Sequence, residues 1–214
     1  IMNMESGVNG FDIAEKISSN LAKAALAITV NGKTQDLSTP ITTDATVTII
    51  TGKDKEGLQI IRHSCSHVMA QAVKELWPDV QVTIGPAIDN GFYYDFDVEK
   101  PFLPEDLEKI EAEMKKIVKE GIELNRFELA PQEAMAKLSE MGEPYKVELA
   151  KEHADKGEHI SFYSQGDFTD LCAGPHLMST AQLKAVKLLN CTGAYWRGDS
   201  SRKMLQRIYG VAFP

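Results

Sequence analysis

Five histidines occur in the 214-residue chain: His63, His67, His153, His159 and His176. Two of them form His63-Ser64-Cys65-Ser66-His67, and a third closes Cys172-Ala173-Gly174-Pro175-His176. At positions i and i+4 of a helix, His63 and His67 project from one face, with Cβ atoms roughly 5–6 Å apart. Gly174-Pro175 demands a tight loop. Three chemistries suit three imidazoles and one thiol. They match the ligand preferences of tetrahedral zinc. They also match a cysteine nucleophile whose thiol is acidified by an imidazole. Finally, the histidines alone can serve as general bases and hydrogen-bond donors around a water and a polar substrate. Spacing does not choose among the three, although the short C-x2-C pairing of structural zinc sites is absent.

The elements that must position these groups follow from pattern. Glu56 to Trp77 reads as a long helix stopped at Pro78, and it carries both histidines of the first segment. Val80 to Ile84 reads as a strand, Gly85-Pro86 as a turn, and Gly91 to Phe96 as an aromatic-rich strand. Pro104 to Lys119 is a charged amphipathic helix, Ile122 to Leu129 a strand, and Pro131 to Met141 a second surface helix. From Ile160 onward, short β runs are broken by Gly and Pro. Upstream, Ile13, Ile17, Leu21 and Ala25 recur every four residues and predict one apolar helical stripe. Ile28-Thr29-Val30, Asn31-Gly32 and Lys33 to Leu37 predict a hairpin, and Val47 to Ile50 a further strand. Helix, hairpin and strand make only half a core. With Ile1 as the first residue, the chain is therefore expected to be a fragment.

Composition narrows the function classes. The formal net charge is −8, from 23 Lys+Arg against 31 Asp+Glu, which argues against general coating of a polyanion or an anionic membrane. No apolar run approaches the roughly 20 residues of a membrane span. Ile1-Met2-Asn3-Met4 does not resemble a secretory leader. Three cysteines, Cys65, Cys172 and Cys191, fit reduced thiols and a cytoplasmic location better than a disulfide framework. The charge is uneven: residues 181–214 hold six bases and one acid, a local +5, interleaved with Tyr195, Trp196 and Tyr209. Such a segment suits local contact with a polyanion, but on residue types alone it reads more readily as the solvated faces of alternating strands. Tyr195 and Trp196 cannot point the same way on a strand, so at least one belongs to the core.

Six blocks in register carry a resemblance. They are His63–His67, Gly85–Asp95, Tyr145-Lys146-Val147, Thr169–His176, Gly193–Asp199 and Met204–Gly210. In order and spacing they resemble the N-terminal region of bacterial-type threonyl-tRNA synthetases, across essentially the whole chain. The H-x3-H and C-x3-H pair by itself is shared with alanyl-tRNA synthetase editing domains, so the other blocks decide the assignment. The resemblance implies an α+β chain in two modules. Residues 1–53 correspond to a truncated, TGS-like β-grasp lacking its first strand. Residues 54–214 correspond to an editing domain with an antiparallel sheet and a long helix. Nothing resembles the class II catalytic core, so the chain is expected not to activate threonine. Ala173 stands where many relatives carry Arg, a departure that bears on tRNA affinity.

The implied activity is hydrolysis of seryl-tRNA(Thr) by water attack on the aminoacyl ester, sparing threonyl-tRNA(Thr). The parent enzyme would ligate threonine to tRNA(Thr) using ATP. A second site is physically necessary because serine fits any pocket built for threonine, and one missing methyl is worth only about 1–3 kcal/mol. By carry-over onto matching positions, His63 orients or deprotonates water. Lys146 holds the water or the oxyanion, or acts as a base if burial depresses its pKa. Asp170 receives the serine ammonium or hydroxyl, and His67, Tyr94, Cys172 and His176 wall the pocket. Without the resemblance, Lys146 would read as a surface lysine and Asp170 as a strand-end turn residue. Arg197 and Arg207 are expected to contact tRNA phosphates. No cofactor is expected to be required. Zinc is possible but not favoured, with His63, His67, Cys172 and His176 as its ligands. The expected partners are serine-bearing tRNA(Thr) and the rest of the synthetase, with no membrane. The alternatives are a tRNA acceptor-arm binding module without chemistry, and a zinc- or cysteine-dependent ester hydrolase.

Overall fold

The computed structural model describes all 214 residues. The N-terminal part begins with α1 (Gly10–Ile17) and α2 (Ser19–Ala24), followed by β1 (Ala25–Val30), β2 (Lys33–Asp36) and β3 (Val47–Thr51). The strands form an antiparallel sheet in the order β2-β1-β3. The hairpin is tight because Asn31 (φ 50°) and Gly32 (φ 82°) both take positive φ, the geometry that an Asn-Gly pair adopts at low cost. The single stripe expected through Ile13, Ile17, Leu21 and Ala25 is in fact two short helices and the start of a strand. Ser18 is extended, and its Oγ accepts from the Leu21 amide at 3.0 Å, so it ends α1 and caps α2. Ala14, Ala22, Ala25, Ile28 and Leu37 form the small core.

The larger part is organised around α3 (Lys55–Leu76), which is buried along most of its length from Ile60 to Val73. Against it lie β4 (Gln81–Val82), β5 (Ala87–Ile88), β6 (Gly91–Asp97), α4 (Pro104–Glu120), β10 (Ala185–Tyr195) and β11 (Met204–Phe213). The main sheet runs β10-β11-β6-β4, with β5 also paired to β6, and all its pairings are antiparallel. Phe92, Tyr94, Phe96 and Ile208 from this sheet share one core with Cys65, Val68, Met69 and Ala72 of α3. A second layer holds β7 (Asn125–Leu129), α5 (Pro131–Glu140), α6 (Pro144–Asp155), β8 (Ile160–Gln165) and β9 (Phe168–Leu171), with sheet order β7-β8-β9. The α+β class, the long helix and the antiparallel sheet expected from sequence are all present. The strand read over Val80 to Ile84 contracts to Gln81–Val82, because the chain leaves the ladder ahead of Pro86 and Ser66 Oγ donates to the Gly85 carbonyl at 2.6 Å.

Helix α6 has no counterpart in the sequence reading. Its apolar side is short, with Ala150 buried and Val147 and Ala154 packed beside it against α5 and β8, and its other buried position is a lysine, Lys146. Polar contacts fix its first turns. Glu143 accepts from the Val82 amide at 3.1 Å and pairs with Lys74 at 3.0 Å. Tyr145 donates to Asp97 at 2.7 Å, and Trp196 Nε1 donates to Glu148 at 2.9 Å. Trp196 is fully buried while Tyr195 is exposed, in line with the expectation that one of the two is core. The basic tail is largely neutralised within the chain. Lys187 pairs with Glu111, Arg197 with Glu148 and Glu152, Arg202 with Glu148, Lys203 with Asp97 and Arg207 with Asp95. Arg207 is held twice over, by both carboxylate oxygens of Asp95 and by the Tyr93 ring 3.9 Å from its guanidinium carbon.

Urea denaturation of two neighbouring variants should separate core from surface. Trp196→Ala is expected to destabilise the chain by about 3–5 kcal/mol, from the cavity it leaves. Tyr195→Ala should stay within about 0.5 kcal/mol of the parent. Comparable losses in both would place Tyr195, too, in the core.

Candidate active site

The charged centre is Asp170, on β9 and only 2% exposed. Lys146 Nζ approaches its Oδ1 at 2.7 Å, His67 Nδ1 its Oδ2 at 2.9 Å, and the Tyr94 hydroxyl donates to Oδ2 at 2.9 Å. The lysine and histidine contacts are close but off the hydrogen-bonding direction, so Oδ1 and His67 Nδ1 lack a well-aligned partner. They act as charge–charge contacts in a dry site. Four elements converge here: α3 supplies His67, β6 Tyr94, α6 Lys146 and β9 Asp170. Gly85 makes the approach possible, since a Cβ there would collide with the Tyr94 ring. Burial opposes ionisation of Asp170, but Lys146 and His67 outweigh it and hold its pKa well below the usual carboxylate range.

Beside this centre, the two sequence segments meet at Cys172. Its Sγ lies 3.2 Å from His176 Nε2 and 3.5 Å from His63 Nε2, and it accepts from the Gly174 amide at 3.3 Å. The three imidazoles touch one another, with His63 stacked on His176 at 4.3 Å and His67 edge-on to both. Burial alone would raise the Cys172 thiol, but the neighbouring imidazoles, His176 and His67 foremost, bring it well below its ordinary value. Burial disfavours the His67 cation, yet Asp170 and Cys172 overcome that and carry its pKa up to about 9. His176 goes the other way, down to about 3, through burial and the repulsion of the other two histidines. His67 is thus held as the cation beside Asp170, while His176 is kept neutral.

The loop from Cys172 to His176 is fixed from several sides. Its Gly174-Pro175 peptide is cis, and Gly174 has φ +73°, with no room for a Cβ against the Tyr163 hydroxyl. Ser64, on α3, accepts from the Leu177 amide at 3.1 Å and lies 2.9 Å from His176 Nδ1. Asp36, in the N-terminal part, accepts from the His176 amide at 2.8 Å and from the Tyr163 hydroxyl at 2.7 Å.

His63 is the most exposed of the three histidines and opens onto a cavity of about 500 Å³ lined also by Thr34, Glu56, Gln59, Pro86 and Pro175. A larger cavity, about 820 Å³, lies in the N-terminal part between residues 1–17 and 41–49, away from these side chains. Every predicted pocket residue, His63, His67, Tyr94, Lys146, Asp170, Cys172 and His176, is therefore gathered in one place. Arg197 and Arg207 are not; they lie in the ion pairs already described. Sequence reasoning missed Asp36 and Tyr163, which carried no motif signal, and Ser64, visible only as filler between the histidines. The four groups His63, His67, Cys172 and His176 offer ligand atoms within 4.8 Å of one another, and the donor set fits zinc. Asp170 and Ser64 would then orient two of the imidazoles from behind.

Two measurements test this electrostatic arrangement. The unfolded chain binds a proton at His176 below about pH 6.5, while the folded chain refuses it until about pH 3. The stability contributed by this group is present above pH 6.5 and falls as pH drops through that window. His67 carries its shift above this window and Asp170 below it, while Glu75, raised to about 7 chiefly by burial, acts inside it with the opposite sign. Relative to the parent, His176→Asn should therefore lower the slope of unfolding free energy against pH between pH 6.5 and 4.5; an unchanged slope would place the neutral imidazole elsewhere. Separately, limited iodoacetamide at pH 7 with peptide mapping should label Cys172 before Cys65 or Cys191. Burial drives the other two thiols up, Cys191 to about 11.

Two known domain families match the chain. Residues 1–51 match the TGS domain, and residues 160–209 match the threonyl and alanyl tRNA synthetase second additional domain. Among curated relatives, the threonine–tRNA ligase of Acetivibrio thermocellus is 55% identical over 213 residues, covering 100% of this chain and 33% of the relative. That of Clostridium tetani is 56% identical over 213 residues, again 100% and 33%. That of Caldanaerobacter subterraneus subsp. tengcongensis is 55% identical over 210 residues, 98% and 32%. The chain thus spans about a third of the length of the relatives it matches. No helix is long and apolar enough to cross a membrane. With identity sustained over its whole length and both domain matches in order, the chain belongs to the bacterial threonine–tRNA ligase family and corresponds to its TGS-plus-editing region.

Proposed function

We propose that this chain hydrolyses the aminoacyl ester of seryl-tRNA(Thr) by water attack and spares threonyl-tRNA(Thr). One observation carries the reading: a histidine open to a cavity, His63, stands over a dry cluster whose charges are already balanced. Ester hydrolysis needs an oriented water, a base and a stabilised oxyanion. His63 serves as the base, because it alone of the three imidazoles combines exposure to the cavity with freedom from a carboxylate or hydroxyl partner. Water held between His63 and the ester carbonyl loses its proton to the imidazole as the C–O bond forms. Lys146 supplies positive charge to the oxyanion side, and Asp170 keeps it in place. The ribose oxygen leaves with the proton that His63 returns.

Selection against threonine is steric. His67, Tyr94, Cys172 and His176 are packed on one another, and rejecting an added methyl at the second site supplies discrimination that affinity for threonine's methyl at the first cannot. Asp170 receives the serine ammonium or hydroxyl. Binding of tRNA(Thr) itself, with Arg197 as a phosphate contact, belongs to the same proposal, as does a cytoplasmic setting. The domain division at residues 53 and 54 accompanies it. A second reading rests on the acidified Cys172 thiol, which could attack the ester and form an acyl-enzyme.

Single-turnover deacylation of Ser-tRNA(Thr) and Thr-tRNA(Thr) by the whole chain tests both readings. Hydrolysis of the seryl ester alone is expected, falling about 100-fold or more in His63→Ala and Lys146→Ala, with tRNA binding retained. Equal rates on both esters, or binding without hydrolysis, would sink the proposal, the latter in favour of a binding module. Loss of activity and of a pre-steady-state burst in Cys172→Ala would favour the thiol, and loss on chelation would favour zinc.

A further inference from the structure

Asp36 is a buried carboxylate, 6% exposed, at the end of β2 in the N-terminal part. It has no ion-pair partner within salt-bridge distance. Arg126, whose charge favours its ionised form, is itself paired with Glu128 at 2.7 Å. Its two oxygens are used instead on the site loop and its support. Oδ1 accepts from the His176 amide at 2.8 Å, and Oδ2 accepts from the Tyr163 hydroxyl at 2.7 Å. The Tyr163 ring meets the His176 imidazole edge-on at 4.5 Å, and its hydroxyl occupies the space that a side chain at Gly174 would need. One carboxylate thus anchors the loop at both ends of Gly174-Pro175-His176, directly at His176 and through Tyr163 at Gly174. His176 in turn places its Nε2 against Cys172. Burying an anion without a cation is costly, and two hydrogen bonds to a mobile surface loop would not justify it. Here both bonds end on groups that set the geometry of the reacting cluster.

We propose that Asp36 is a positioning residue through which the N-terminal module completes the hydrolytic site, holding His176 and hence Cys172 at their working distance. The module is then a structural component of the site rather than an appendage beside it. The kinetic consequence rests on the hydrolytic reading above, whereas the structural one does not.

Three variants of the whole chain test this: Asp36→Ala, Asp36→Asn and Tyr163→Phe. Each is measured by single-turnover hydrolysis of Ser-tRNA(Thr) and by the ¹H–¹⁵N signal and solvent exchange of the His176 amide. Asp36→Ala should lower the maximal rate about 100-fold with little change in the substrate concentration for half-saturation, as expected for misplacement by a fraction of an ångström to 1 Å. Its His176 amide should shift upfield and exchange faster, while amides of β1 and β3 keep their protection. Asp36→Asn retains an oxygen for the His176 amide and should recover to within about tenfold of the parent. Tyr163→Phe leaves the N-terminal module untouched and should fall between the two, so it decides the matter even where Asp36→Ala unfolds the module. An unmoved His176 amide in Asp36→Ala and Tyr163→Phe would overturn the proposal, as would Asp36→Asn behaving no better than Asp36→Ala. Should the parent chain hydrolyse neither ester, the hydrolytic reading falls, and the His176 amide still reports whether Asp36 sets that loop.

Discussion

The buried carboxylate of Asp170 is the constraint on which the site depends. It is almost wholly removed from water, and it stays ionised only because Lys146, His67 and the Tyr94 hydroxyl surround it. Those partners need it equally. Lys146 is 3% exposed, and His67 keeps its proton because Asp170 and Cys172 flank it. Removing Asp170 would leave Lys146 buried and unpaired, the situation that penalises buried ion pairs most. The cluster is therefore a specification device: only an arrangement that brings α3, β6, α6 and β9 to one point satisfies all of its charges.

That requirement explains the role of segments remote from the chemistry. Helix α6 delivers Lys146 by packing Val147, Ala150 and Ala154 against α5 and β8, while polar and aromatic contacts fix its first turns. Glu143 fastens its start to β4 and α3, Tyr145 reaches Asp97, and Trp196 fills the space behind Glu148. The basic, aromatic tail takes part in the same seating through Arg197 and Arg202, which pair with Glu148 and Glu152. The local +5 of residues 181–214 consequently faces acids of the same chain at most of its positions. An acidic chain can then receive a polyanion at one point without attracting it everywhere, since exposed pairs are screened and leave little long-range field.

The cysteine–histidine cluster carries a different kind of asymmetry. Three imidazoles within touching distance cannot all be charged, and their environments separate them: His67 is pushed up by two anions, His176 is pushed down by burial and like charge. Pairs of titratable groups driven apart in this way are a mark of sites that handle protons. The separation depends on where the imidazoles sit, and the loop that carries His176 is held by Ser64 and Asp36.

Much of this was legible in the residues alone. H-x3-H on a continuous apolar helix, C-x3-H around Gly-Pro, and the Asn-Gly hairpin each follow from local rules, because spacing along a helix and positive φ at a turn are properties of a few neighbouring residues. The family resemblance added Lys146, Asp170 and Tyr94 to that set. Local pattern failed where the signal is not periodic: α6 buries a lysine, and Ser18 splits one apparent stripe into two helices by satisfying an orphan amide. It could not reach Asp36 and Tyr163 at all, since they are 127 residues apart and meet only through tertiary packing. The protonation states also lay beyond it. Which histidine is charged, and that Cys172 is acidic, depends on burial and on charges brought together from distant segments. The sequence by itself determined which functional groups exist and which elements carry them. The tertiary structure alone decided their distances and their dielectric surroundings, and those decide the chemistry.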